Sequence, residues 1–172
     1  GRMNEAIDEH KRAQELDPFT PLHTVWLGGL YRMVGQYEKG LAEVDKVEQM
    51  KENNVLGMLI KGRILVDQGK TEQGLEILKK ASQINPFTKF YYYGQAVIQV
   101  GNKDEGMALI KELEAMPITS WNALCLGQMY LAKGDVENAI KSFNIDEKHA
   151  FYPWLRVLVL NKKSLQVWNW IP

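Results

Sequence analysis

The sequence lacks the features that mark disulfide scaffolds, cysteine-rich metal sites and membrane proteins. Its 172 residues include a single cysteine, Cys125, so an internal disulfide is excluded. Lys plus Arg and Asp plus Glu both number 21, which gives a net charge of zero and no global attraction to nucleic acid or to an acidic membrane. No apolar run approaches the roughly 18 residues of a membrane-spanning helix. We therefore expect neither nucleic-acid binding nor membrane insertion.

The few reactive side chains give no sign of a catalytic or metal centre. His10, His23 and His149 are not spaced as ligand pairs on one helix face. Cys125 has apolar neighbours, which favours a buried, unreactive thiol. The segment GRILVDQGKT at 62–71 is similar to a phosphate-binding loop, but six residues separate its glycines where that motif has four. The sequence thus predicts a protein that is not an enzyme and that holds no cofactor or metal.

What the sequence does contain is an internal repeat of about 34 residues. Its loop glycines are Gly1, Gly35, Gly69, Gly101 and Gly134. A second set of glycines lies seven residues before four of these, at Gly28, Gly62, Gly94 and Gly127. Small residues lie five positions after each loop glycine, at Ala6, Gly40, Gly74, Gly106 and Ala139. Each unit is predicted to be a helix, a turn at a left-handed glycine and a second helix, with small residues where the two helices cross.

This pattern resembles the tetratricopeptide repeat over about residues 1 to 148. The residues that match its helix A are Leu27, Gly28 and Tyr31, and Leu126, Gly127 and Tyr130; those that match its helix B are Ala6, Ala13 and Pro18, Gly74, Ala81 and Pro86, and Phe143. The sequence departs from the family at Lys61, at Glu52, and in one unit that is two residues short near Pro86. Since Gly1 falls in mid-repeat, we expect a half repeat at the start and a chain cut from a longer protein.

The resemblance implies an all-α fold, a right-handed superhelix whose A helices line a concave groove and whose B helices lie outside. We expect a half repeat plus four repeats over residues 1–149, which makes nine repeat helices. Residues 150–172 hold three of the five tryptophans and no acidic residue, and we expect them to form a C-terminal cap. A partner-binding or self-association element, or a strand at VLVL, is the alternative there.

Concave surfaces of repeat proteins bind other proteins, so the expected function is a protein–protein interaction scaffold that holds a peptide or a helix. The alternative is the C-terminal regulatory or sensing domain of a bacterial adenylate cyclase, kinase or winged-helix regulator, whose tails are faintly similar to PWL at 153–155. The expected location is the cytoplasm, with a periplasmic domain of a membrane-anchored protein as the alternative. The half repeat is expected to leave Met3, Ala6 and Ile7 partly uncovered, which would favour self-association.

The helix A positions expected to face the groove form an apolar and aromatic wall with two arginines and several amides: Val25, Gly29, Arg32, Met33, Leu59, Arg63, Val66, Tyr91, Tyr92, Gln95, Gln99, Trp121, Leu124, Gln128 and Leu131. Those expected to contact the partner are Arg32, Arg63, Tyr91, Tyr92, Gln95, Trp121 and Gln128. The alternative is that Tyr91, Tyr92 and Trp121 merely pack between helices. Family members that grip chaperone tails use Lys, Asn and Arg side chains, which are absent here from the matching positions Val25, Gly29, Leu56, Ile60, Thr88 and Tyr92.

Overall fold

The computed structural model describes residues 2–144, and this part of the chain folds into helices joined by short connections. The α-helices are α1 (Arg2–Leu16), α2 (Pro21–Met33), α3 (Tyr37–Met50), α4 (Val55–Asp67), α5 (Thr71–Ile84), α6 (Gln95–Gln99), α7 (Lys103–Glu114), α8 (Ser120–Lys133) and α9 (Val136–Asn144). A π-helical segment, π1 (Lys89–Gly94), runs directly into α6. The cap predicted for residues 150–172 lies outside the described residues.

The order of these helices follows the repeat. The A helices are α2, α4, the joined π1–α6 and α8, and the B helices are α1, α3, α5, α7 and α9. The prediction of an all-α fold with nine repeat helices is therefore confirmed for residues 2–144. None of the described helices has both the length and the apolar composition needed to cross a membrane.

The chain divides into two compact units, which are residues 2–86 (unit 1) and residues 87–144 (unit 2) within the described part. In unit 1, each helix from α1 to α5 packs against the next one, and α2 also packs against α4. One core cluster of this unit comprises Val25, Val44, Val47, Ile60 and Ile64. In unit 2, α6 packs against both α7 and α8, and α8 packs against α9. Fully buried side chains of this unit include Val97, Cys125 and Met129.

The loop glycines end the A helices as the sequence predicted. Gly35, Gly69, Gly101 and Gly134 have φ angles of 75°, 79°, 83° and 83°, which lie in the left-handed region that side-chain-bearing residues avoid. At Gly35 the backbone N–H donates to the Arg32 carbonyl at 3.0 Å, and the next N–H donates to the Tyr31 carbonyl at 2.8 Å. These bonds satisfy carbonyls at the helix end that would otherwise have no partner.

Glycines let the two helices of each full repeat in unit 1 cross at backbone contact. A Cβ atom on Gly40 would lie 3.0 Å from the carbonyl oxygen of Gly28, and one on Gly74 would lie 2.7 Å from the carbonyl oxygen of Gly62. Because real Cβ atoms rarely approach other atoms so closely, larger residues would force the helices apart. The prediction of a tight crossing at the small-residue positions is confirmed for these two repeats.

Unit 2 begins with a shortened A helix. Segment π1 has six residues and α6 has five, two fewer together than the 13 of α2 or of α4. The two-residue shortfall that we expected near Pro86 therefore lies in the first part of helix A, within π1. A Cβ atom on Gly94 would meet the Met129 Cε atom at 2.9 Å, while one on Gly106 would meet the Ile98 Cγ1 atom at 2.7 Å. Hence the two glycines of this repeat contact side chains of α8 and α6.

The expected uncovered face at the start of the chain is smaller than the sequence suggested. Ile7 is 5% exposed, because it packs in a cluster with Leu27 and Tyr31 of α2. Met3 and Ala6 are half-buried. The prediction that Ile7 contributes an exposed apolar patch is therefore wrong, and self-association through this face stays a prediction.

Candidate functional site

The two arginines predicted to contact a partner are both buried in unit 1. Arg32 on α2 has a side chain that is 6% exposed, and its Nε donates to the Asp67 Oδ2 at 2.8 Å. This ion pair joins α2 to the end of α4. Arg63, on α4, is 8% exposed. The Arg32 guanidinium is thus already engaged within the protein, which favours a structural role for that side chain.

The predicted aromatic residues form a connected cluster in unit 2. The Tyr91 and Trp121 rings are stacked, with centroids 5.5 Å apart and planes tilted by 26°. Tyr92 meets Tyr91 edge-on at 4.9 Å. Tyr91 is buried, whereas Tyr92 and Trp121 are half-buried and remain accessible. The cluster therefore joins π1 to α8 and presents two partly open aromatic surfaces.

Phe87 extends this cluster and was missed at the sequence level. Its ring lies 6.4 Å from that of Trp121, and the residue is 70% exposed. The available signal was the repeated Pro-Phe-Thr at 18–20 and 86–88, in which Phe19 is also strongly exposed. The repetition of this tripeptide was the signal at both positions.

Two glutamine amides lie at corresponding positions of the A helices in unit 2. Gln95 on α6 and Gln128 on α8 lie one repeat apart, next to the Gly94–Met129 contact between these helices. Gln128 is 5% exposed and Gln95 is half-buried. The Nε2 atoms of both are buried, and neither has a hydrogen-bond partner within the described part of the chain. A buried donor without a partner costs about 1–3 kcal/mol, so an acceptor that reached either amide would be stabilising.

Phenol–carboxylate hydrogen bonds position the A helices of unit 2 against α7. The Tyr130 hydroxyl donates to the Glu114 Oε1 at 2.5 Å, and the Tyr93 hydroxyl donates to Glu105. Burial and, after it, the bond to Glu114 raise the pKa of Tyr130 to about 12. Both phenols therefore remain protonated donors at neutral pH, and they fix π1 and α8 on the helix between them.

The described residues offer no evident catalytic chemistry. Cys125 is fully buried, as predicted, and burial raises the pKa of its thiol to about 12, which disfavours the reactive thiolate. Residues 2–144 contain no group of three or more His, Cys, Asp or Glu side chains placed to hold a metal ion. The described site combines partly exposed aromatic rings with two buried amide donors.

Two further features of the structure could not be seen in the sequence. His10 and His23 lie on different helices, yet their ring centroids are 6.2 Å apart. In unit 2, a hollow of about 370 Å³ lies between α6, α7 and the end of α8, with Ile98, Met107 and Ile110 among its lining residues and Lys103 and Lys133 beside them. Both features depend on how helices pack, which residue spacing within one helix does not encode.

Comparison with known proteins agrees with this architecture. The family model of the tetratricopeptide repeat matches residues 57–88. A thermophilic tetratricopeptide repeat protein of Thermus thermophilus has a similar structure, with a TM-score of 0.71, 22% sequence identity, and coverage of 97% of this chain and 92% of that one. A tetratricopeptide repeat protein of Parabacteroides merdae gives a TM-score of 0.72 at 17% identity, over 96% of this chain and 65% of that one.

Comparison with curated protein sequences gave no significant match. The two similar structures share too little sequence to indicate more than the fold. The protein therefore has the all-helical fold of the tetratricopeptide repeat family. The repeat that matches the family model consists of α4, α5 and the connections around them.

Proposed function

We propose that this protein is an interaction scaffold that holds an extended peptide against its A helices, and that unit 2 supplies the contacts. The observation that carries the proposal is the pair of buried amide donors on Gln95 and Gln128, which lack partners among the described residues. They occur on the same two A-helical elements as the stacked Tyr91 and Trp121 rings. Donors and aromatic surfaces together suit a peptide backbone with apolar side chains.

The spacing of the A helices fits an extended ligand. Packed helices lie about 8–10 Å apart, and an extended chain advances about 3.3 Å per residue. A peptide that crosses α6 and α8 would therefore offer a backbone carbonyl to the Gln95 amide and another to the Gln128 amide about three residues later. The side chain between them would lie against Tyr92 or Trp121, since both rings are half-buried.

Proteins of this fold are generally scaffolds without enzymatic activity, and the described residues fit that class. The regulatory domain of a bacterial signalling protein, the cytoplasmic location and the absence of nucleic-acid binding stay predictions. The competing interpretation of the site is that the aromatic cluster only packs α8 against π1, in which case replacing Tyr92 would alter stability and leave binding unchanged.

Site-specific photo-crosslinking would test the proposal. A photoreactive phenylalanine analogue is placed at Tyr92 or, as a matched control, at the exposed Lys111 on the B helix α7. We expect one partner peptide to be crosslinked from position 92 and not from position 111. Equal crosslinking from both positions would rule out a site on the A helices.

Calorimetry with the crosslinked peptide then measures what each amide contributes. We expect Gln95→Ala and Gln128→Leu each to weaken binding about tenfold, which corresponds to the loss of one hydrogen bond of about 1.4 kcal/mol. Circular dichroism and the melting temperature establish that each variant is folded. Wild-type affinity in both folded variants would disprove the role of the amides.

A further inference from the structure

His10 on α1 and His23 on α2 lie side by side in unit 1, where these two helices pack. Their ring centroids are 6.2 Å apart and their planes are tilted by 50°. Both residues are half-buried. The Nδ1 atom of His10 is buried and has no hydrogen-bond partner in the part of the chain that the structure describes. Because a ring nitrogen acts as a donor or as an acceptor, this atom is unsatisfied in either tautomer.

The separation of the rings is close to that of two imidazoles on one metal ion. Zinc binds imidazole nitrogen at about 2.0–2.1 Å, and the ring centroid lies roughly 1 Å beyond that nitrogen, so two rings on a tetrahedral ion have centroids about 5 Å apart. The observed 6.2 Å exceeds this by about 1 Å. Small rotations about the side-chain torsions of both residues cover that difference.

The surroundings fasten α1 to α2 and keep the His10 ring neutral. The Gln14 Nε2 donates at 2.9 Å both to the Thr24 Oγ1 and to the Glu43 Oε2, which ties α1 to α2 and α3 beside the rings. Burial, and then the charge of His23, lower the pKa of His10, so its ring is neutral and able to bind metal at pH 7. The Asp17 carboxylate is near enough to His23 to interact with its charge.

We propose that His10 and His23 together form a binding site for one divalent transition-metal ion of the class that prefers imidazole nitrogen, such as zinc. Water completes the coordination shell, since no third ligand group is placed there among the described residues. The ion gives the buried Nδ1 atom of His10 a partner. It also links α1 to α2 and makes the first helix harder to detach.

Isothermal titration calorimetry with zinc chloride tests the site directly. We expect the wild-type chain to bind one zinc ion and to bind no calcium, which prefers oxygen ligands. His10→Phe and His23→Phe keep an aromatic ring and remove the ligand nitrogens, so each should weaken zinc binding tenfold or more. The control His149→Phe removes the third histidine of the sequence and should bind zinc like the wild type. Undetectable zinc binding by the wild type, or unchanged binding by both folded variants of the pair, overturns the proposal.

A measurement on the wild-type chain keeps the proposal testable if either variant fails to fold. Diethyl pyrocarbonate modifies accessible imidazole rings, and mass spectrometry locates the modified residues. We expect zinc to slow modification of His10 and His23 together, and to leave the rate at His149 unchanged. Equal rates at the pair with and without zinc would show that the ion does not bind there.

Discussion

In unit 1, the Arg32 side chain of one A helix is bonded to an Asp67 side chain of the next, whereas in unit 2 two glutamine side chains of the A helices have buried donors without a partner among residues 2–144. Arg32 of α2 is paired with Asp67 of α4 at 2.8 Å. In unit 2, Gln95 of α6 and Gln128 of α8 have buried Nε2 atoms without partners in residues 2–144. The A helices of unit 1 are thus joined by an ion pair, whereas those of unit 2 are fixed by phenol–carboxylate bonds and also carry two buried amide donors without a partner among the described residues.

The chemistry of the side chains explains this division. A buried guanidinium requires a counter-charge, since an isolated buried charge costs several kcal/mol. A buried amide without a partner costs about 1–3 kcal/mol, which a folded unit can tolerate until a ligand arrives.

Among the substitutions that test this difference between the units, Arg32→Ala is expected to cause the largest loss of folding stability. Removing the guanidinium leaves the Asp67 carboxylate, which is 17% exposed, without its partner. Breaking one side of a buried pair costs about 3–5 kcal/mol, and we expect about 3 kcal/mol because this carboxylate retains some contact with solvent. Urea denaturation measures the loss in free energy of unfolding.

The double variant Arg32→Met with Asp67→Leu is the control for that prediction. Replacing a buried ion pair by apolar side chains of similar size is often neutral, so the double variant should recover most of the lost stability. Equal destabilisation in the single and the double variant would mean that packing of the arginine stem, and not the ion pair, stabilises α2 against α4.

The repeat pattern in the sequence predicted the helices of both units, but it did not predict which side chains pair between different helices. Glycine spacing located every turn from an A helix to the following B helix in the described part, because a left-handed turn and a tight crossing both require the absence of a side chain at fixed positions. The Arg32–Asp67 pair and the His10–His23 pair span different helices, so no local spacing indicated them. Arg32 was predicted to contact a partner, yet its guanidinium is engaged with Asp67.

The shortened A helix is the second difference between the units, and residue counting did not predict its form. Two missing residues in an α-helix would turn the preceding residues by about 200° around the helix axis. The chain instead forms π1, a π-helix with more residues per turn than an α-helix. This changes the direction in which the Cβ position of Gly94 faces, which is toward Met129. Gly62, at the same repeat position in unit 1, would place a Cβ atom 3.0 Å from the Gly74 carbonyl oxygen and 2.7 Å from the Leu78 Cγ atom.

Alanine substitutions at these two glycines should give results that differ by about 1–2 kcal/mol. Gly62→Ala crowds a backbone oxygen and a fully buried leucine, and the overpacking of about 1–3 kcal/mol exceeds the gain of about 1 kcal/mol in helix propensity. Gly94→Ala meets mainly the flexible end of Met129, so its cost and its gain should nearly cancel. Thermal and urea unfolding of both variants measures the difference, and equal losses would contradict the proposed effect of π1.

The smallest expected change in folding stability comes from Gln128→Leu. This substitution also tests most directly which unit binds the peptide. Leucine has a volume similar to that of glutamine and removes the buried donor that lacks a partner in residues 2–144. We expect the free energy of unfolding to stay within about 1 kcal/mol of the wild-type value, or to rise slightly. A binding role would account for a glutamine whose buried donor lowers the stability of the unit.

The matched control for this prediction is Gln83→Leu, on the exposed side of α5 in unit 1. We expect that substitution to leave both stability and peptide affinity unchanged, because its amide is already in contact with water. Gln128→Leu should instead weaken peptide binding about tenfold while the protein remains as stable as before. If Gln128→Leu unfolds the protein at lower urea concentrations, then the amide stabilises unit 2 in a way that the described contacts do not show. In that case Gln128 would resemble Arg32, and the contrast between the two units would be lost at this position.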